Sequence, residues 1–232
     1  MANSSFDNNQ VQLVNSFVEL VSTPYKGILN ANCWERTLIG DFHEIIKQLE
    51  TDEQIVNVEI EDLIELQLSK QGALAREILL NDFKLLSDYG ASPNLNIIKS
   101  YDRDSDNPIF PTDVYSFHVD RSPIPTDTFL CTYFGDSSEI IPNSQAIQKI
   151  LIPEIRQEIK ERFQVSDENF ESFVIENFYD LHYDLTPNTQ PITMGNGHLW
   201  RLEIDHPQLQ VPPCIHRAPL EKNGQSRLLM IC

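Results

Sequence analysis

The chain is short of positive charge: 17 lysines and arginines stand against 35 aspartates and glutamates, a formal net charge of −18 over 232 residues. A surface that acidic repels phosphate backbones and anionic lipid, so no broad nucleic-acid surface and no membrane partner is expected. Cysteine is sparse and scattered, at Cys33, Cys131, Cys214 and Cys232, with no CxxC spacing. That pattern argues against a disulfide framework and for reduced thiols. No apolar run reaches the roughly 18 residues of a membrane span. Met1 to Gln10 is polar and lacks the basic and apolar regions of a secretion signal. These absences predict a cytoplasmic protein. A GxSxG elbow, a Walker loop and a dinucleotide glycine fingerprint are missing as well, which removes the commonest hydrolase and nucleotide-site signatures.

What is present suffices for a substantial core, with 41% apolar and 22% charged residues. The length fits one domain, spanning 1–232. Residues 1–90 read as a helical region packing on a barrel. Val11, Val14, Phe17, Val18 and Val21 recur at helical spacing up to Pro24, and Ile39, Phe42, Ile45, Ile46 and Leu49 form a second stripe over 38–49. Residues 52–65 carry six acids among Ile55, Val58, Ile60, Leu63 and Ile64, as an amphipathic helix or a strand followed by one. A further helix over 73–89 ends at Gly90, a good C-terminal cap.

Beyond Ser92 the pattern changes to short strands separated by Pro, Asn, Asp and Gly, over 95–100, 113–119, 128–134, 197–204, 213–218 and 226–232. Their spacing predicts an α+β protein whose 91–232 core is a jelly-roll or cupin-like barrel, a double-stranded β-helix. A helical insertion, about 143–180, interrupts it with helices near 144–163 and 168–177.

The chemistry centres on Phe117-His118-Val119-Asp120. Residues two apart on a strand share a face, so His118 and Asp120 project together with Ser116, and Tyr115, Phe117 and Val119 cover the other side. An imidazole beside a carboxylate supplies two of the three ligands of the facial triad that holds non-haem Fe(II) and leaves positions open. The third ligand must come from another strand, and His216 is the candidate. Asn223-Gly224 signals a hairpin into 226–231. A type I′ turn there sets His216 opposite Ile231 and Leu220 opposite Arg227, placing the Arg227 guanidinium on the face of His216, suited to a carboxylate. One bulge near Pro219 reverses that parity.

Other histidines have plainer readings. His198 is a strand-start residue and His206-Pro207 a turn. His182, in a His-x-Asp that mimics the first, has a capping or solvated role, and His43 is an exposed or half-buried helical residue. Cys131 and Cys214 read as small buried strand residues with no nearby cation.

His118-x-Asp120, the distant His216 and an arginine eleven residues further on resemble the Fe(II)/2-oxoglutarate-dependent dioxygenases. More closely, Phe117 to Asp120, Cys131-Thr132-Tyr133-Phe134-Gly135, His216-Arg217-Ala218-Pro219 and Arg227-Leu228-Leu229 resemble a bacterial family catalogued as a domain of unknown function, with FHxD, CTYxG and HRSP motifs. Asn32-Cys33-Trp34-Glu35-Arg36 is similar to that family's opening. Departures lie in the longer loop over 121–127, in Ala218 for Ser and in the large insertion after Pro142. The resemblance implies Fe(II) on His118, Asp120 and His216, and 2-oxoglutarate held through Arg227, with Tyr133 donating a hydrogen bond to it if its face lines the lumen. The substrate, a small molecule or a protein, is not specified. Two other readings stand beside this one: a metal-binding cupin-like protein without oxoglutarate chemistry, and an acidic interaction module on an inactive barrel.

Overall fold

The computed structural model describes residues 10–222 and 224–232. The polar segment read for a secretion signal lies, except for Gln10, outside the described residues, as does Asn223 of the hairpin signal. No helix among the described residues is long and apolar enough to cross a membrane.

The architecture is mixed α+β. Strands β1 (Val11–Val14), β2 (Ala31–Trp34), β3 (Ile55–Val58), β4 (Asn94–Ile98), β6 (Asp127–Phe134), β11 (Leu199–Glu203) and β13 (Arg227–Ile231) form one sheet, in the order β1-β2-β11-β6-β13-β4-β3. Strands β5 (Phe117–His118), β7 (Glu139–Ile141), β8 (Ala146–Gln148), β9 (His182–Leu185), β10 (Ile192–Thr193) and β12 (Ile215–Arg217) form the second, in the order β10-β7-β12-β5-β9-β8.

Helices α1 (Phe17–Ser22), α2 (Phe42–Leu49), α3 (Ile60–Glu65) and α4 (Lys70–Tyr89) cover one face of the larger sheet. Leu20, Ile45, Ile46, Leu63, Leu79 and Leu86 pack there against Phe129, Cys131, Tyr133, Leu228 and Met230. Helix α4 starts where the Ser69 hydroxyl accepts the Gly72 amide at 3.2 Å, and stops at Gly90, whose φ of 100° is left-handed. The sheet's other face meets the second sheet. Leu130, Trp200, Leu202 and Leu229 from the larger sheet bury with Ile140 from β7 and with Cys214. Helices α5 (Pro153–Phe163) and α6 (Phe170–Glu176) form a separate cluster, in which Ile159, Phe170 and Val174 pack with Phe110, Ile150 and Tyr179.

Three expectations need correction. Val11 to Val14 is a strand, not a helix, because it pairs in parallel with Ala31–Trp34 and finds there the hydrogen bonds that a lone helical turn would supply. The predicted strand over 113–119 shrinks to Phe117–His118, since Asp113 caps a turn by accepting the amides of Asp104 and Tyr115. Finally, β12 and β13 are not a hairpin. β12 pairs with β5 and β7, and β13 with β4 and β6, so His216 and Arg227 sit in different sheets. The 52–65 segment takes the strand-then-helix alternative.

Candidate metal centre

The smaller sheet assembles the site. His118 and His216 are direct cross-strand partners on β5 and β12, and Ile140 on β7 is the next partner across. Cross-strand partners share a face. Ile140 is fully buried in the core between the sheets, so both imidazoles belong to that inner side. Phe117, Val119, Ile141 and Ile215 alternate to the outer side, where they pack with Leu181. Asp120 follows β5 and is tied by its backbone oxygen, which accepts the Asp205 amide at 2.8 Å.

One ligand atom each from His118, Asp120 and His216 lies within 4.8 Å of the others. His118 Nε2 is 3.8 Å from Asp120 Oδ1, and His216 Nε2 is 3.6 Å from Asp120 Oδ2. A cation about 2.0–2.2 Å from N and O ligands separates them by roughly 3–3.5 Å, so each of these two separations is within about an ångström of that spacing. The tautomers are also set for ligation. His118 Nδ1 lies 2.8 Å from the Ser116 carbonyl and His216 Nδ1 lies 3.3 Å from the Cys214 carbonyl. A carbonyl only accepts, so each Nδ1 carries a proton, which leaves Nε2 as the ring nitrogen turned to the cluster.

The protonation states agree. Burial, with His216 beside it, pushes the His118 imidazole down to about 4, so it is neutral near pH 7. Burial alone raises the Asp120 carboxyl, but His216, the Thr128 hydroxyl and His118 outweigh it and hold the group below the ordinary carboxylate range. A neutral His118 imidazole beside an ionised Asp120 carboxylate suits a divalent cation.

Arg227 reaches the same inner side by another route. On β13 it alternates with Leu229 and Ile231, which pack in the inter-sheet core. It is buried at 7% exposure; Nη2 donates to Ser138 Oγ at 3.3 Å, Tyr101 hydrogen-bonds it, and Nε has no partner. Among the described residues no carboxylate forms an ion pair with it. A buried guanidinium with no carboxylate in ion-pair contact among the described residues, and with an orphaned donor, is chemically suited to an incoming anion.

Tyr133 is not brought to the cluster. It shares its face with Phe129 and Cys131 as expected, but that face meets the helices. Its hydroxyl donates to Asp82 Oδ2 at 2.7 Å, and Asp82 is also ion-paired with Arg36. The Arg36 guanidinium lies 3.6 Å from Cys131 Sγ, so a cation does stand beside that thiol. Burial still dominates and pushes Cys131 up to about 12, and it raises Cys214 as well.

His182 is the largest departure. It is neither solvated nor a cap: it starts β9, pairs directly with His118, is 3% exposed, and its Nδ1 has no partner. Its ring centroid lies 5.8 Å from that of His118. The only sequence signal was its own His-x-Asp spacing. Thr128, Ser138 and Tyr101 carried none. His198 precedes β11 and accepts the Arg36 amide at 3.1 Å, and His206 bonds Glu203 at 3.1 Å before a turn. His43 is exposed and stacks on Phe134.

No protein-family model, no curated protein and no solved structure matches the chain.

Proposed function

We propose that this protein is a non-haem Fe(II)/2-oxoglutarate-dependent oxygenase built on a double-stranded β-helix, hydroxylating a substrate not identified by its own residues. The observation that carries the reading is that two donor sets face the same inter-sheet interior. His118, Asp120 and His216 converge on the inner face of one sheet, and Arg227, with its Nε lacking a partner, enters the same interior from the other. Chain order supports the β-helix: β4, β6, β11 and β13 lie side by side in the larger sheet, with β5, β7, β10 and β12 in the smaller, and the chain passes repeatedly between them.

His118 and His216 would offer Nε2, and Asp120 a carboxylate oxygen, leaving open positions for a chelating cosubstrate. Arg227, with Tyr101 and Ser138 beside it, would hold the distal carboxylate of 2-oxoglutarate through charge-assisted hydrogen bonds. When bound, Fe(II) and 2-oxoglutarate supply the oxidising chemistry: 2-oxoglutarate, O₂ and a substrate C–H bond become succinate, CO₂ and a C–OH group. Burial keeps the His118 imidazole neutral, and Ile140 beside the two imidazoles adds an apolar wall.

The test separates metal from cosubstrate. Arg227→Ala should bind Fe(II) as the parent does and lose 2-oxoglutarate binding, whereas His118→Ala and Asp120→Ala should lose the metal. Metal uptake with no oxoglutarate binding in the parent protein would favour a metal-binding cupin-like protein. Absence of any metal uptake would return attention to an interaction module.

A further inference from the structure

Asp120 is the one proposed ligand that does not lie within a strand; it follows β5. A carboxylate on such a segment can turn about two torsions and can present either oxygen or both. Its side chain is nevertheless held. Thr128, at 7% exposure on β6, donates its hydroxyl to Asp120 Oδ2 at 2.5 Å. That length belongs to a strong charge-assisted O–H···O⁻ bond. Thr128 is itself fixed, because its backbone pairs with Leu202 on β11 in the interior of the larger sheet. The bond therefore runs from the rigid sheet across to the ligand-bearing segment of the other. It leaves Oδ1, 3.8 Å from His118 Nε2, without a hydrogen bond from the described residues, while Oδ2 stands 3.6 Å from His216 Nε2.

We propose that Thr128 is a positioning residue for the metal centre: its hydroxyl, bonded to Asp120 Oδ2, fixes the rotation of the carboxylate and biases it toward single-oxygen ligation of a divalent cation. The inference rests on the metal-site reading and extends it. A carboxylate bound through both oxygens would close a position that a chelating cosubstrate needs, so the hydroxyl preserves the open side of the site as well as the aim of the ligand. Partners that orient metal ligands are worth about 10–100-fold in metal affinity when removed.

The experiment titrates the full-length metal-free protein with Co(II) alone, followed by its visible d–d absorption, in the parent, Thr128→Val and Thr128→Ser. Valine keeps the shape and deletes the donor, and serine keeps the donor. The expected result is a loss of about 10–100-fold in Co(II) affinity in Thr128→Val, recovered to within about threefold in Thr128→Ser, with a changed d–d spectrum in the valine variant only. Should Thr128→Val fail to fold, Thr128→Ala replaces it with the same expectation. Equal Co(II) affinity and spectra in parent and Thr128→Val would overturn the proposal, as would a loss that serine does not recover. A parent that takes up no Co(II) would overturn it together with the metal site. A parent that binds Co(II) but not 2-oxoglutarate would refute the oxygenase reading and leave the role of Thr128 standing on the valine–serine contrast.

Discussion

Deleting Asp82 should cost this protein much of its stability. Asp82 is fully buried on α4, where it pairs with the Arg36 guanidinium, accepts Arg36 Nη1 at Oδ1 over 2.7 Å and accepts the Tyr133 hydroxyl at Oδ2. In Asp82→Ala the guanidinium keeps the Gly197 carbonyl, reached by Nε at 2.7 Å, and the weak Cys131 thiol acceptor at 3.6 Å. Breaking a buried pair by removing one partner costs about 3–5 kcal/mol. The Tyr133 hydroxyl, left with only the weak Met230 thioether acceptor at 3.7 Å, adds about 1–3 kcal/mol. Because 12% of the Arg36 side chain is exposed, some water reaches the guanidinium and the low ends apply, for a total of about 4–6 kcal/mol. In a domain of this size that lowers Tm by roughly 10–20 °C. Asp82→Asn should lose about half as much, and the triple change Arg36→Met, Asp82→Leu, Tyr133→Phe should recover most of it, since apolar replacement of a whole buried network is often neutral. Urea denaturation and a melting curve on each variant test this. An Asp82→Ala loss below about 1 kcal/mol would refute the reasoning. So would loss of 2-oxoglutarate binding in Tyr133→Phe, whose hydroxyl is committed to Asp82.

Acid should destabilise the metal-free protein early. Burial holds His118 at about 4 and His182 at about 3 in the folded state, against 6.5 in an exposed histidine. The unfolded chain therefore binds more protons between those values, and stability falls as pH drops from about 6.5 toward 4, by a few kcal/mol in all; denaturation midpoints that stay flat over that range would contradict it. His182→Leu removes an orphaned Nδ1 and should leave Tm unchanged or raise it by about 2–4 °C; a fall of similar size would mean the ring holds a structural bond. Gly135→Ala should destabilise by about 1–3 kcal/mol in urea, because φ is +86° and a Cβ would stand 2.9 Å from the Ser226 carbonyl and 3.1 Å from Arg227 Cα. A variant as stable as the parent would show that the turn relaxes freely.

How far the sequence led depended on whether the deciding contacts were local. Gly90 and the long stripe before it defined α4, and alternation defined β6, β11 and β13 within a residue or two. Val11 and Val14 fit a helix and a strand equally over four residues, and only pairing with Ala31–Trp34 decides. His118-x-Asp120 was legible because period two is local, and His216 because few other histidines had a strand context. The route for Arg227 was wrong, since strand pairing across sheets is not written in neighbouring residues. Its side chain still faces the interior, through the alternation of β13 itself. Tyr133 failed for a complementary reason: alternation tells which residues share a face, not whether helices or a second sheet cover it. His182 was missed because its burial comes from pairing with His118, 64 positions away by sequence number.

The central claim is an open facial triad that holds 2-oxoglutarate, and one measurement meets it directly. Metal-free protein is mixed anaerobically with Fe(II) and 2-oxoglutarate, and the visible spectrum is searched for the metal-to-ligand charge-transfer band of a chelated 2-oxo acid. The account predicts a band in the parent protein that disappears in His118→Ala. Fe(II) binding with no band would contradict the cosubstrate, and a band that survives in His118→Ala would contradict the site.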